Sequence, residues 1–209
     1  MAYFSNEKMV RYLRKLKKFD SVGKIMALDI GRKFVGTAIS TRDLKTAMKH
    51  KTFEIDPQYN YVTYDYRIHS QFYMDLENEM RMKKIKALII GYPKQEGTVV
   101  SPICQHVKSM VEFLVDYEIV KRPITFISNY HTPQETALKI LNNQGKSPDR
   151  FFLQSAYDSL TTKGSLFSEF SKPEMIYKHT VYDIAAAEDV LKKFLELYNA
   201  PAEDASAVS

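Results

Sequence analysis

KIMALDIGRKFVGTAIS, residues 24–40, holds two apolar, β-prone runs that meet at Gly31-Arg32-Lys33. Two such runs around a short Gly-containing turn predict a β-hairpin. The first run carries one carboxylate, Asp29, among apolar neighbours. Placing a carboxylate there costs several kcal/mol unless something pairs with it. A metal ion would pair with it. A backbone turn of the Asx kind, ending the strand, would do so as well.

Composition sets the outer bounds. The 209 residues are enough for one domain with a sizeable core, and 44% apolar with 26% charged is ordinary for a globular protein. No run approaches the roughly 18 apolar residues of a membrane helix, so no membrane span is expected. The single cysteine, Cys104, forms no internal disulfide and no Cys-rich zinc site, and reads as a small core residue. A reducing compartment fits: the cytoplasm, with an organelle (plastid or mitochondrion) as the alternative. The net charge of +5 leans toward polyanionic partners. Most of that excess sits in residues 1–19, where six cations face one acid, Glu7.

Outward from the hairpin, the chain alternates helices and strands. Met9, Tyr12, Leu13, Leu16 and Phe19 form the apolar stripe of a basic amphipathic helix. It reads as a helix docked on the domain, a basic arm for nucleic acid, or the remnant of a targeting peptide. Lys51–Ile55 and Tyr61–Tyr66 are strand candidates, and the stretch 59–66 is tyrosine-rich; packing on an edge strand and stacking of bases are both open for those tyrosines. A helix is expected over residues 68–84, with a basic exit at Lys83, Lys84 and Lys86. Ile85–Ile90 reads as a buried central strand running into Gly91-Tyr92-Pro93, and ligand sites in α/β sheets lie beyond such carboxyl ends. A helix over roughly 101–117 and a strand at Pro123–Ile127 follow, then Ser128-Asn129-Tyr130. Thr132-Pro133 is a helix start. Residues 142–180 form a long excursion, and Tyr182–Leu195 reads as a strong helix. Asp183 near its start is either an N-cap or a site acid.

Four motifs in this order resemble the YqgF-type (RuvX-like) family of Holliday junction resolvases and pre-16S rRNA nucleases, within the ribonuclease-H-like superfamily. They are Asp29-Gly31-Gly36; Gly91-Pro93-Gly97; the strand end at Ser128-Asn129-Tyr130 with Thr132; and the closing helix with Asp183. The resemblance implies an α/β, ribonuclease-H-like three-layer domain with a mixed five-stranded sheet and helices on both faces. It would span residues 23–199, after a basic helix in 1–22 and before a frayed tail, 200–209.

The resemblance further implies a nuclease for junction DNA or rRNA precursor, in which carboxylates from separate elements hold Mg²⁺ or Mn²⁺. Asp29 and Asp183 match the first and last acids and would be the metal ligands. Asn129 stands at the position of the middle one, and Tyr130 replaces an arginine. An amide can ligate a cation but supplies no charge, so a weakened nuclease and an inactive module that binds nucleic acid or protein are both expected readings. Arg32, Lys33, Gly91, Pro93 and Lys178 are the expected nucleic-acid contacts. Monomer and homodimer are left open.

Overall fold

The computed structural model describes residues 3–18, 23–31, 34–55, 70–93, 102–116, 120–129 and 173–201. Nine elements follow in chain order: α1 (Asn6–Lys18), β1 (Lys24–Ile30), β2 (Phe34–Ser40), β3 (Ala47–Glu54), α2 (Ser70–Met82), β4 (Ile85–Pro93), α3 (Pro102–Asp116), β5 (Ile124–Asn129) and α4 (Pro173–Asn199). The strands form one sheet in the order β3-β2-β1-β4-β5. β1, β2 and β3 pair antiparallel, while β4 and β5 add parallel to β1. This is the mixed five-stranded, ribonuclease-H-like sheet that the motifs imply.

The hairpin explains its own register. Gly31 N–H donates to the Phe34 carbonyl at 2.9 Å, closing the turn, and Asp29 then lies opposite Gly36. Side chains alternate across the pleat, so β1 feeds two cores. Met26, Leu28 and Ile30 join Phe72, Leu76 and Met80 of α2 and Val107, Met110 and Val111 of α3. Ile25 and Ala27 point the other way, to Met9 and Leu13 of α1 and Val190, Leu191 and Phe194 of α4. Asp29 is in phase with the second set. It therefore faces α4 from within the strand.

β4 is buried at Ile85 and from Ala87 to Gly91, as a central strand must be, with Lys86 half-buried near its start. Edge strand β3 starts at Ala47, earlier than its apolar pattern suggests, because backbone pairing with β2 sets its length. Helix α1 is docked, with Met9, Val10 and Leu13 buried. Its Arg14 guanidinium donates to the carbonyls of Tyr198 and Ala200, each at 2.9 Å, placing a cation on the C-terminal end of α4. Helix α4 begins at Pro173, so the last residues of the 142–180 excursion are helical. The tyrosine-rich stretch, the helix opening at Thr132-Pro133 and the rest of that excursion lie outside the described residues.

Candidate metal centre

Small residues build this site. Gly36 on β2 and Gly91 on β4 flank Asp29 on the same face of the sheet. A methyl carbon on Gly36 would sit 2.1 Å from the backbone carbon and oxygen of Asp183. Only glycine allows α4 to rest there, and that contact holds Asp183 above the strand neighbour of Asp29. A methyl carbon on Gly91 would lie 3.3 Å from Asp29 Oδ1 and 2.9 Å from Val190 Cγ2. The Asp29 carboxylate thus leans over Gly91. At Gly31 the corresponding position is 3.9 Å from Asp183 Oδ1, so that carboxylate lies beside the hairpin turn.

Asp183 sits ten residues beyond Pro173, well inside α4, which removes the N-cap reading. Its environment is hostile to charge. Burial, reinforced by the negative charge of Asp29, pushes Asp183 up to about 8. Among the described residues no cation forms a salt bridge with it. Glu188 points elsewhere, to Lys192 at 3.0 Å and Lys49 at 4.0 Å.

One residue was missed by sequence reasoning. His106 of α3 is buried, and its Nε2 lies 3.0 Å from the Gly31 carbonyl. A carbonyl only accepts, so that nitrogen carries the proton. The bond ties the turn after Asp29 to a helix 75 residues away in sequence. Nothing local to His106 signals this; it sits on the apolar stripe of its helix like any core residue.

The other expected residues divide. Gly91 lies beside Asp29 and Pro93 ends β4, while Asn129 ends β5 in register with Pro93. The side chains of Asn129 and Lys178 are outside the described set, although Lys178 belongs to α4. Arg32 and Lys33 lie outside the described residues altogether. Among the described residues no three His, Cys, Asp or Glu side chains gather as a metal-ligand group. The donor set is therefore two oxygen-bearing carboxylates, one of them held short of its charge. A hard divalent cation fits such a pair, provided water or substrate oxygens complete its shell. No helix of the described residues is long and apolar enough to cross a membrane.

Residues 23–151 match the family model described as RuvX: Holliday junction resolvase. The match includes Asp29, Gly36, Gly91 and Asn129 and ends before Asp183. Solved structures give distant likenesses. Thermus thermophilus RuvC is 11% identical, with 82% of this chain and 93% of that one covered and a TM-score of 0.41. T. thermophilus RuvC in complex with Holliday junction substrate is 12% identical, with 81% and 93% covered and a TM-score of 0.39. Archaeoglobus fulgidus Pelota is 11% identical, with 74% and 40% covered and a TM-score of 0.34. No curated protein matches the chain. Since one family model takes in more than half of the sequence, including the hairpin that carries Asp29, the chain belongs to the RuvX Holliday junction resolvase family.

Proposed function

We propose that this protein is a divalent-metal-dependent nuclease for structured nucleic acid, either junction DNA or an rRNA precursor, with Asp29 and Asp183 as its metal ligands. The observation that carries the reading is geometric: Asp29 leans over Gly91, and Asp183 on a separate element rests against Gly36, the strand neighbour of Asp29. Two acids from separate elements brought together on one face of the sheet are suited to hold a divalent cation between them. The chemistry supplied by Mg²⁺ or Mn²⁺ there is Lewis-acid stabilisation of charge on a phosphodiester.

The chain's own residues do the rest. Gly36 and Gly91 keep the approach open, and His106 steadies the turn that follows Asp29. At neutral pH Asp183 holds a proton and releases it when a cation arrives. Gly91 and Pro93 border the path of the strand, and Arg32, Lys33 and Lys178 contact its phosphates. Cys104, the single cysteine and buried, suits a reducing compartment such as the cytoplasm.

A second reading is a non-catalytic module that retains the fold. The amide at Asn129 favours it, because two carboxylates activate a cation less than three. Cleavage of a four-way DNA junction and of a structured RNA, with Mg²⁺ or Mn²⁺, separates the two. The nuclease reading expects cleavage by the parent, lost at least 100-fold in Asp29→Asn and raised in Asn129→Glu. Absence of cleavage in both parent and Asn129→Glu, with nucleic-acid binding retained, selects the module.

A further inference from the structure

The sheet has a second end. Asp29 lies near the carboxyl end of β1, about 16 Å along the strand from Lys24 at its start. Lys24 pairs with Ile85, the first residue of β4, so both strands begin at the pole remote from the acids. At this pole a cavity of about 390 Å³ is lined by Tyr12, Glu77, Lys86, Lys121, Arg122 and Pro123. Its residues come from α1, α2, the start of β4 and the approach to β5.

Among the described residues three cations and one carboxylate, Glu77, line it, and Glu77 forms no salt bridge with Lys86 or Arg122. Among the described residues neither Lys86 nor Arg122 has an ion pair or hydrogen bond, although both are half-buried. The Lys86 stem lies against Gly23. A methyl carbon on Gly23 would lie 2.6 Å from its Cγ and 3.1 Å from its Cε, so the Gly23 backbone packs against it. Tyr12 is held edge-on to Phe4, with ring centroids 5.7 Å apart. Lys15, Lys17 and Lys18 continue along exposed α1, and Lys84 is exposed at the other rim. Like charges such as Lys86 and Arg122 repel one another when brought together, and a polyanion relieves that cost.

We propose that this cavity is a second nucleic-acid contact, remote from the acid pair. A backbone phosphate would lie between Lys86 and Arg122, with its sugar or base against Tyr12 and Pro123. The volume falls in the range of pockets that hold small organic groups, enough for one nucleotide unit. Tyr12 supplies the aromatic surface that sequence-tolerant binders use. The proposal rests on the nucleic-acid reading above but not on catalysis. It gives the protein two separated holds on one branched or folded polymer.

The test compares the parent, Lys86→Gln/Arg122→Gln, and a control, Lys49→Gln/Lys108→Gln, which removes the same charge from other faces. Binding of a labelled four-way junction and a structured RNA is followed by fluorescence anisotropy across a salt series, with Mn²⁺ affinity measured in parallel. The cavity variant should bind at least tenfold more weakly, with a log–log salt slope lower by between one and two, since each lost duplex phosphate contact accounts for about 0.9. Its Mn²⁺ affinity and melting temperature should match the parent, and the control should lose less than threefold. An unchanged affinity and slope in the cavity variant overturns the proposal. So does an equal loss in the control, which would mean that only total charge matters. A parent that binds neither polymer overturns it too. Inorganic phosphate and a nucleoside monophosphate form a further arm. If they lose binding in the cavity variant while the polymers do not, the cavity serves small phosphates instead. Failure of the metal reading looks different: Asp29→Asn then leaves Mn²⁺ affinity unchanged, whatever happens at Lys86 and Arg122.

Discussion

Glu79 and Asp183 are carboxylates set into opposite layers of the protein, and their surroundings could hardly differ more. Glu79, on α2, is 5% exposed and fully attended. Lys51 Nζ approaches one oxygen at 2.6 Å and His50 Nε2 the other at 2.8 Å, with Lys83 at 3.9 Å. Burial works to raise its pKa, but the hydrogen bonds and charges of Lys51 and His50 outweigh it and hold the carboxyl below its ordinary value. Asp183, on α4, meets burial and a second carboxylate, and both push upward. One layer shows a buried acid neutralised by its own protein. The other shows an acid left for something else to neutralise.

The largest expected effect tests the attended member. Glu79→Ala leaves Lys51 without its counter-charge and His50 without its hydrogen-bond partner, and removes the tie between β3 and α2. Breaking a buried pair of this kind costs about 3 kcal/mol, and urea unfolding should show a loss of that order. Mn²⁺ affinity should not change. A loss under roughly 0.5 kcal/mol would place the network among ordinary surface ion pairs and remove the contrast.

The smaller effect has the opposite sign. A group whose pKa rises from 3.8 to about 8 on folding contributes stability that is complete below its unfolded value. That stability is lost as pH climbs toward 8, because the folded state must give up a proton it prefers to keep. Asp183→Asn removes the titration. In metal-free buffer the variant should therefore gain on the parent steadily between pH 4 and 8, then hold level. Asp183 keeps some solvent contact, so the gain at pH 8.5 should be roughly 2 kcal/mol. Thermal melts of both proteins across that range measure it. A difference that does not vary with pH would mean that Asp183 is ionised like any surface acid.

Much of this architecture was written locally. The hairpin at residues 24–40 declared itself through its two apolar runs, and Asp29 stood out because a carboxylate does not belong in such a run. The helix expected over 68–84 is Ser70–Met82, and the one expected over 101–117 is Pro102–Asp116. Hydrophobic periodicity reports these elements because each buries one face. What stayed hidden depends on contacts between distant residues. The start of α4 at Pro173 could not be read from PEMIYKHTV, whose His and β-branched residues signal no helix. Gly36 was visible as part of a motif, but its use as the seat of the Asp183 backbone appears only when α4 lies across the sheet. The attendance of Lys51 on Glu79 and of His106 on Gly31 joins residues 28 and 75 positions apart, and no spacing rule reaches that far.

The central claim is that Asp29 and Asp183 together hold a divalent ion. Calorimetric titration of Mn²⁺ into the parent, Asp29→Asn and Asp183→Asn, repeated from pH 6 to 9, tests it most directly. Because the ion must displace the proton on Asp183, parental affinity should rise about tenfold per pH unit up to about 8 and then level off, with close to one proton released at pH 7. Either substitution should cost at least tenfold at pH 8, and Asp183→Asn should also flatten the pH dependence. A parental affinity independent of pH, and equal to that of both variants, would contradict the account.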